Sequence, residues 1–541
     1  MRHLVLLFLV ASLARPQDTR PADPAALLPR GTSIFVEAED VSGAARKLLA
    51  TGFFLSIAEQ SRAASRGSRP TIGLAPDLIF ASGQRAAEVL AQIAGLETRR
   101  MAFGFLPAII GTSRWIVVAE SAEAAPILAT LATWIPEAKP ATAELAPFVV
   151  LADARPTTGV VRTIHDGKEP SLAVRDDFRR YRSLAPGGVL GFHLDVGRLA
   201  PRIARFGLDK KNDAGAVLFA SHVVHALKTA NTLSGRVSLT GGASLDLFAE
   251  IEPVPAQRAF TETRPSQPVL APPDGWVARM SLPRDLAGFW NDRERLLDEA
   301  ARGSLAEFQN NLGILMGGLT VEDLFAGLGS AFDVYLMRGE GGAPGHRYPS
   351  AALVAVLVDP DLKTELLMSF QTTMGIVNAQ RAQERLPRFF QESTRHRDVL
   401  IASARYLPES LPDPADDRLQ LEPSLATVGD RLILGTNRKI VRALVDQVLD
   451  GKTRPRAPGD ELEISGPAAA AALQEAGAIV RSQMVLKEGR TEESAREVVD
   501  MIASVLARID RVTAAIDLEG SLATVSVRVL GARLLEAPES R

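Results

Sequence analysis

The sequence predicts an α+β protein built from two tandem homologous units, with mostly antiparallel or mixed sheets and helices packed on one face. Three observations predict it. A short apolar strand that passes into a helix through a single Asp or Ser recurs four times along the chain. Strands follow one another across Gly turns with no helix between them, which argues against a doubly wound parallel sheet. Long segments of the first half reappear, in the same order, in the second half.

The recurring segments are "LPRGTSIFVEAED" from Leu28, "APGGVLGFHLD" from Ala185, "PPDGWVARMS" from Pro272 and "APGDELEIS" from Ala457. Each opens on a turn pair: Pro29 with Gly31, Pro186 with Gly187, Pro273 with Gly275, Pro458 with Gly459. Pro presets φ and Gly tolerates positive φ, so the chain reverses there. Asp40, Asp195, Ser281 and Ser465 end the strands and read as helix N-caps, each worth about 1 kcal/mol. The carboxylates of Glu37, Glu39 and Asp40 cluster at the first strand end, where an enzyme would keep an acid or base. Capping needs only an acceptor oxygen, so the alternation of Asp with Ser favours a structural Asp40. Glu37 and Glu39 share one strand face and are expected to be solvated.

The larger duplication pairs "AFGFLPAII" from Ala102 with "AFDVYLMRG" from Ala331, each leading to a second strand and a capped helix. Ser121 and Asp359 are the expected caps, the latter with Pro360 at the first helical position. "PFVVLADARP" from Pro147 and "DRLILGTNRK" from Asp430 then feed helices that end at Gly167 and Gly451. Each half closes with a helix and a hairpin. In the second half Thr491 caps a stripe of Ala495, Val498, Val499, Ile502, Leu506 and Ile509, and the hairpin turns near Glu519 and Gly520. Gly241 and Gly242 mark that turn in the first half. The expected units are residues 27–253 and 271–531, joined by a Pro-rich linker at 254–270 and followed by a tail at 532–541. Mobile loops are expected at 61–70, 339–349 and 408–423.

The chain of 541 residues begins "MRHLVLLFLVASLARPQ". Arg2 supplies a positive start, residues 4–10 an apolar stretch, and Ser12, Leu13 and Ala14 a small-x-small cleavage signal. Residues 1–14 read as a secretory signal peptide cut after Ala14, with a flexible segment at 15–26. The apolar stretch is shorter than the roughly 20 residues that span a bilayer. The mature protein is expected to be periplasmic or secreted, with no transmembrane segment.

This grammar resembles a group of exported bacterial proteins, common in planctomycete-type genomes and grouped as a domain of unknown function. The resemblance rests on "LLPRGTSIFVEAEDVSGAARKLLATGFF", "PSLAVRDDFRRYRSLAPGGVLGFHLDV" and "DRLILGTNRKIVRALVD". It implies export and carries no catalytic residue with it.

A formal net charge of -3 with scattered Arg gives nucleic acid no basic surface. The absence of cysteine removes thiol chemistry, disulfides and Cys metal sites. "DGKT" at 450–453 mimics the tail of a phosphate loop, but Asp446 holds the place of the leading Gly and the helix lies before the motif. His222 and His225 share a helix face without a third ligand at metal spacing. Ser330 in "AGLGSAF" fits a turn, and no G-x-S-x-G or H-E-x-x-H is present. Gly317, Gly318 and residues 339–342 read as loop glycine, while Trp115 and Trp290 read as core. No catalytic, cofactor-binding or metal residue is therefore expected, and no cofactor. The leading expectation is an exported non-enzymatic envelope protein that binds a partner or scaffolds an assembly. A carrier of an apolar ligand is the second. The third is a periplasmic hydrolase with a loop-assembled site, in which His193 or His346 would matter.

Overall fold

The computed structural model describes residues 23–40, 42, 43, 46, 100–107, 114–120, 140–184, 190–199, 229–238, 243–251, 267–296, 299–315, 320–339, 347–411 and 420–531. Ser121, Gly187, Gly241, Gly242, His222, His225 and His346, the signal peptide and most of the linker lie outside the described residues. So do Gly317 and Gly318 and the loop 61–70. The protein is α+β. Its chain divides into two compact units, the first drawing on residues up to 206, on 228–252 and on the chain end from 521, the second on 253–520.

The first unit contains β1 (Ile34–Ala38), β2 (Met101–Leu106), β3 (Arg114–Glu120), β4 (Ala141–Leu145), β5 (Phe148–Ala152), β6 (Leu190–Asp195), β7 (Thr232–Ser238) and β8 (Ala243–Glu250). They pair antiparallel in the order β4–β5–β3–β2–β1–β6–β7–β8. Helices α1 (Arg155–His165), α2 (Asp176–Leu184) and the short α3 (Val196–Leu199) accompany them. Side chains alternate along β1, so Phe35 joins Ala102, Ile116, Val118, Val150 and Ala152 on one face. Val161 of α1 and Phe178 and Tyr181 of α2 close that core.

The second unit holds β9 (Val269–Leu270), β10 (Trp276–Pro283), β11 (Leu328–Met337), β12 (Ser350–Leu357), β13 (Phe390–His396), β14 (Val399–Arg405), β15 (Ser424–Val428), β16 (Arg431–Gly435), β17 (Thr453–Arg454), β18 (Asp460–Ser465) and β19 (Arg511–Glu519). Its main sheet runs β13–β14–β15–β16–β12–β11–β10–β18–β19, again antiparallel. With the hairpin β13–β14 and the strand β8 set aside, the seven remaining strands of each unit follow one order. The helices are α4 (Leu286–Leu296), α5 (Glu299–Leu315), α6 (Val321–Gly327), α7 (Leu362–Gln383), α8 (Arg438–Leu449), α9 (Gly466–Glu475), α10 (Gly477–Glu488) and α11 (Glu492–Ala507). The last strand, β20 (Leu522–Leu530), pairs with β8 and so extends the first unit's sheet.

Helices cover both faces of the second sheet rather than the one face expected. Leu425, Leu432 and Ala355 pack with Trp290, Phe325 and Leu366 of α4, α6 and α7. Their chain neighbours Ala426, Ile433 and Val354 point the other way, onto Ile440, Val441, Leu444 and Val445 of α8. Val269 and Leu270, expected in the linker, form β9 against β17 and are buried. Among the described helices none is long and apolar enough to cross a membrane.

The local signals hold where they depend on the nearest turn of chain. Thr491 accepts from Ser494 N, and Gly167 and Gly451 lie at φ 73° and 63° with the paired closing bonds of a Schellman end. Gly520 turns the chain at φ 64°. Of the described opening glycines, Gly275 has the positive φ, at 75°. The caps need correction. Asp40 accepts from Gly43 N at 2.7 Å and Asp195 from Arg198 N at 3.1 Å. The third junction is capped by Asp285, which accepts from Gly288 N at 2.9 Å, while Ser281 is buried inside β10. Ser465 holds an N-cap position without a side-chain bond. Asp359 accepts from Asp361 N at 2.9 Å, and α7 begins only at Leu362, so Pro360 precedes the helix. Ser330 is strand rather than turn, and Trp115 is half-buried whereas Trp290 is core.

Candidate functional site

Glu37 is the first surprise. It shares the core-facing side of β1 with Phe35 and is buried, not solvated. Arg182 of α2 pairs with it at 2.5 Å, and the Tyr181 hydroxyl donates to it at 3.4 Å. Burial outweighs Arg182 and, with the nearby Asp23 carboxylate, pushes the Glu37 carboxyl up to about 7. Glu39 lies nearer the surface, 3.8 Å from Arg100.

On the same face His193 bridges two groups. Its Nδ1 lies 2.7 Å from Ser234 Oγ and its Nε2 lies 3.3 Å from Asp177 Oδ2. Arg175 gathers Asp177 and Asp195 and also donates to Thr32 O at 2.9 Å. Burial works against the Asp177 charge, yet the bonds from His193 and Arg175 outweigh it and hold that carboxyl well below the usual range. The trio has the members of a Ser-His-Asp triad with the ring nitrogens exchanged, since a catalytic triad puts the carboxylate on Nδ1. It is also sealed: His193 is 1% and Ser234 4% exposed. The packing leaves a substrate no room, and the array reads as the buried polar core of the first unit.

The second unit has its own buried charges over β10 and β18. Arg456 grips Asp333 through both oxygens at 2.9 and 2.8 Å and reaches Ser281. Arg279 and Arg454 both engage Glu461 and Glu463.

An open site lies elsewhere in the second unit, a cleft of about 830 Å³. Six segments of chain line it, several of them placed by local sequence signals. Helix α8 is amphipathic: Ile440, Val441, Leu444 and Val445 are buried, and Lys439, Ala443, Asp446, Gln447 and Asp450 face the cleft. Asn437 caps it through Lys439 N at 2.7 Å, and the Gly451 end presents Lys452. The β13–β14 hairpin turns on Arg397 and Asp398, both at positive φ, 47° and 66°. That turn sends His396 to Asp446 at 2.9 Å and Arg397 to Asp446 and Asp450 at 3.2 and 2.7 Å. Hydrogen bonds from Arg397 and Lys452 hold the Asp450 carboxyl below its usual range. His396, Arg397 and Lys452 pair with Asp446 and Asp450 along this wall, and "DGKT" is part of it as a helix end rather than a phosphate loop.

Further lining residues gather around Glu475. Arg338 leaves β11 and bonds Glu475 Oε1, while Arg347 N donates to Glu475 O at 2.9 Å. Arg347 Nε, Glu475 Oε2 and Gln447 Oε1 are buried without a hydrogen-bond partner among the described residues, and all three residues line the cleft. Each such atom costs about 1–3 kcal/mol unless something fills it. No Ser, Thr, Cys or Tyr is among the lining residues described. Among the described residues no group of three His, Cys, Asp or Glu is arranged to hold a metal. The described lining can bind polar and charged groups.

Sequence reasoning singled out "DGKT" and Asp446 but rejected them as chemistry, and it passed over Arg347, Gln447 and Glu475. The only early trace was the paired signal of an amphipathic helix followed by a Gly stop. No family model, curated protein or solved structure matches the chain.

Proposed function

We propose that the protein is an exported, non-enzymatic component of the cell envelope that binds a partner molecule through the cleft of the second unit. One observation carries this reading: an open cleft of about 830 Å³ whose described lining is rich in charged side chains and holds no Ser, Thr, Cys or Tyr. The size supports it, since ligand sites commonly span about 300–1,000 Å³. Export rests on the N-terminal signal and on the resemblance of "LLPRGTSIFVEAED" to exported proteins. The proposal includes descent of the two units from one duplicated ancestor, which their common strand order supports.

The test is native mass spectrometry of the chain from Arg15 onward, purified from its native envelope, together with a photo-crosslinker placed at Ala443 in the cleft. Bound mass or a crosslinked adduct is expected, reduced in a Glu475→Lys variant that remains folded. A bare chain with no adduct overturns the proposal.

A further inference from the structure

Strands β4 and β15 hold the same place in the strand orders of the two units, and they differ in what lies on their outer side. Each turns into its neighbour in the same register, with Leu145 opposite Phe148 and Val428 opposite Arg431. Counting back from these turns sets Pro140, Thr142 and Glu144 at the places of Pro423, Leu425 and Thr427. In the second unit β14 runs along the outer side of β15, with Ala402 opposite Leu425 and Ile401 opposite Ala426. Ala404 N donates to Pro423 O at 2.9 Å. Backbone direction alternates along a strand, so Pro423, Leu425 and Thr427 turn their backbone groups toward β14. The corresponding groups of Pro140, Thr142 and Glu144 point outward from β4, and among the described residues β4 pairs with β5 alone. The hairpin that supplies β14 belongs to the connection from β12 to β15, residues 358–423, whereas the connection from β3 to β4 is residues 121–140.

The side chains say what fits there. Ala143 and Leu145 are buried, and Leu145 belongs to the core that Val161 of α1 closes. Thr142 and Glu144 are exposed, whereas Leu425, at the place of Thr142, is buried. One face of β4 therefore meets solvent beside an open row of backbone groups, onto which an extended chain adds as a further strand. Glu144 stands opposite Val149 on β5, so a cation opposite it on an added strand is favoured. We propose that the β4 edge binds an extended, cationic segment of a partner protein, added antiparallel in the register that β14 takes on β15. A Lys or Arg then stands opposite Glu144, an aliphatic residue opposite Ala143 and a small residue opposite Thr142, the last two as Ile401 and Ala402 stand in the second unit. A second copy of β4 is the poorer occupant, because pairing about Ala143 sets Glu144 against Thr142 and brings no cation. This docking edge belongs to the first unit and does not depend on the cleft.

The experiment uses the mature full chain and an acetylated, amidated peptide of the β14 sequence, Val399–Arg405, carrying Leu400→Lys and a label for fluorescence anisotropy. Leu400 precedes Ile401 and so takes the place opposite Glu144. Saturable binding is expected, together with slowed hydrogen exchange at Thr142 and Glu144. Ala402→Pro in the peptide removes the N–H aimed at Thr142 and is expected to weaken binding at least about tenfold. Glu144→Lys in the chain is expected to weaken the Lys-bearing peptide about fivefold, and a peptide carrying Leu400→Glu instead is expected to recover that loss. This exchange of charges separates recognition from misfolding, because an unfolded variant binds neither peptide. Equal affinity of both peptides for the parent and the variant overturns the proposal, and so does bound peptide that slows exchange elsewhere but not at Thr142 and Glu144. Absence of binding overturns it as well. If the chain then shows a concentration-dependent sedimentation coefficient that Thr142→Pro abolishes, the edge belongs to a second copy instead.

Discussion

Glu37 carries a proton to a pH at which an exposed glutamate has lost it. Its carboxyl titrates near 7 when folded, against 4.5 in an open chain. Between those values the folded state binds the extra proton, so stability is greatest below pH 4.5 and declines as pH rises toward 7. The window corresponds to about 3 kcal/mol at most. Glu37→Gln keeps the shape and cannot ionise, and Arg182 retains Asp23 at 3.0 Å. We expect the variant to match the parent in chemical denaturation at pH 4.5 and to exceed it at pH 8. Identical pH profiles for the two proteins would rule out a buried, proton-binding Glu37. The sequence could not show this burial. Glu37 and Glu39 read as a solvated pair because strand alternation gives a face without saying what covers it. The cover is α2, whose Tyr181 lies 144 residues along the chain. The same holds for Gln447 and Glu475, which only the fold brings to one cleft.

At the scale of elements, what the sequence made legible were the ends of helices, because their signals act within one turn. Thr491, Gly167 and Gly451 needed no tertiary knowledge. The third and fourth junctions misled because Ser281 and Ser465 stand at strand ends, yet a cap must also aim its oxygen at an N–H. Asp285 does this and Ser465 does not. Asp285→Ala is therefore expected to cost about 1 kcal/mol and Ser465→Ala close to nothing, read as denaturation midpoints. Equal losses would contradict the assignment. Glycine separates two further elements. A Cβ on Gly466, the first residue of α9, would lie 1.7 Å from Ile509 O and 2.5 Å from Leu506 O, and backbone cannot yield. On exposed Gly159 of α1 a Cβ meets nothing within 4 Å. Gly466→Ala should destabilise by at least about 2 kcal/mol, whereas Gly159→Ala should stabilise by about 0.5–1 kcal/mol. A tolerated Gly466→Ala would mean that α9 starts farther from α11 than described.

For the whole molecule, the chain order and the compact units do not coincide. The repeat in the sequence ends with the chain, which suggested that the closing hairpin belongs to the second half. A repeat read from sequence reports kinship of segments, and it is silent about which sheet a strand joins. Strand β20 joins the first unit, pairing with β8 from Leu522 opposite Glu250 to Val529 opposite Ala243. Ser526 Oγ donates to Asp246 at 2.6 Å, and Ile251 N donates to Ser521 O at 2.9 Å. Removing residues 521–541 thus strips β8 of one neighbour and leaves a row of open backbone groups, the condition in which strand edges associate. In hydrogen exchange of the truncated chain, the amides of 243–250 are expected to lose protection. Those of β16, whose partners β12 and β15 both lie in the second unit, are expected to keep it. The truncated chain is also expected to self-associate through the bared β8, giving a concentration-dependent sedimentation coefficient. Undiminished protection at 243–250 would show that β8 does not depend on β20, and a fragment ending at the linker would then be a complete first unit. With the pairing as described it is not, and the chain must be finished before its first unit is.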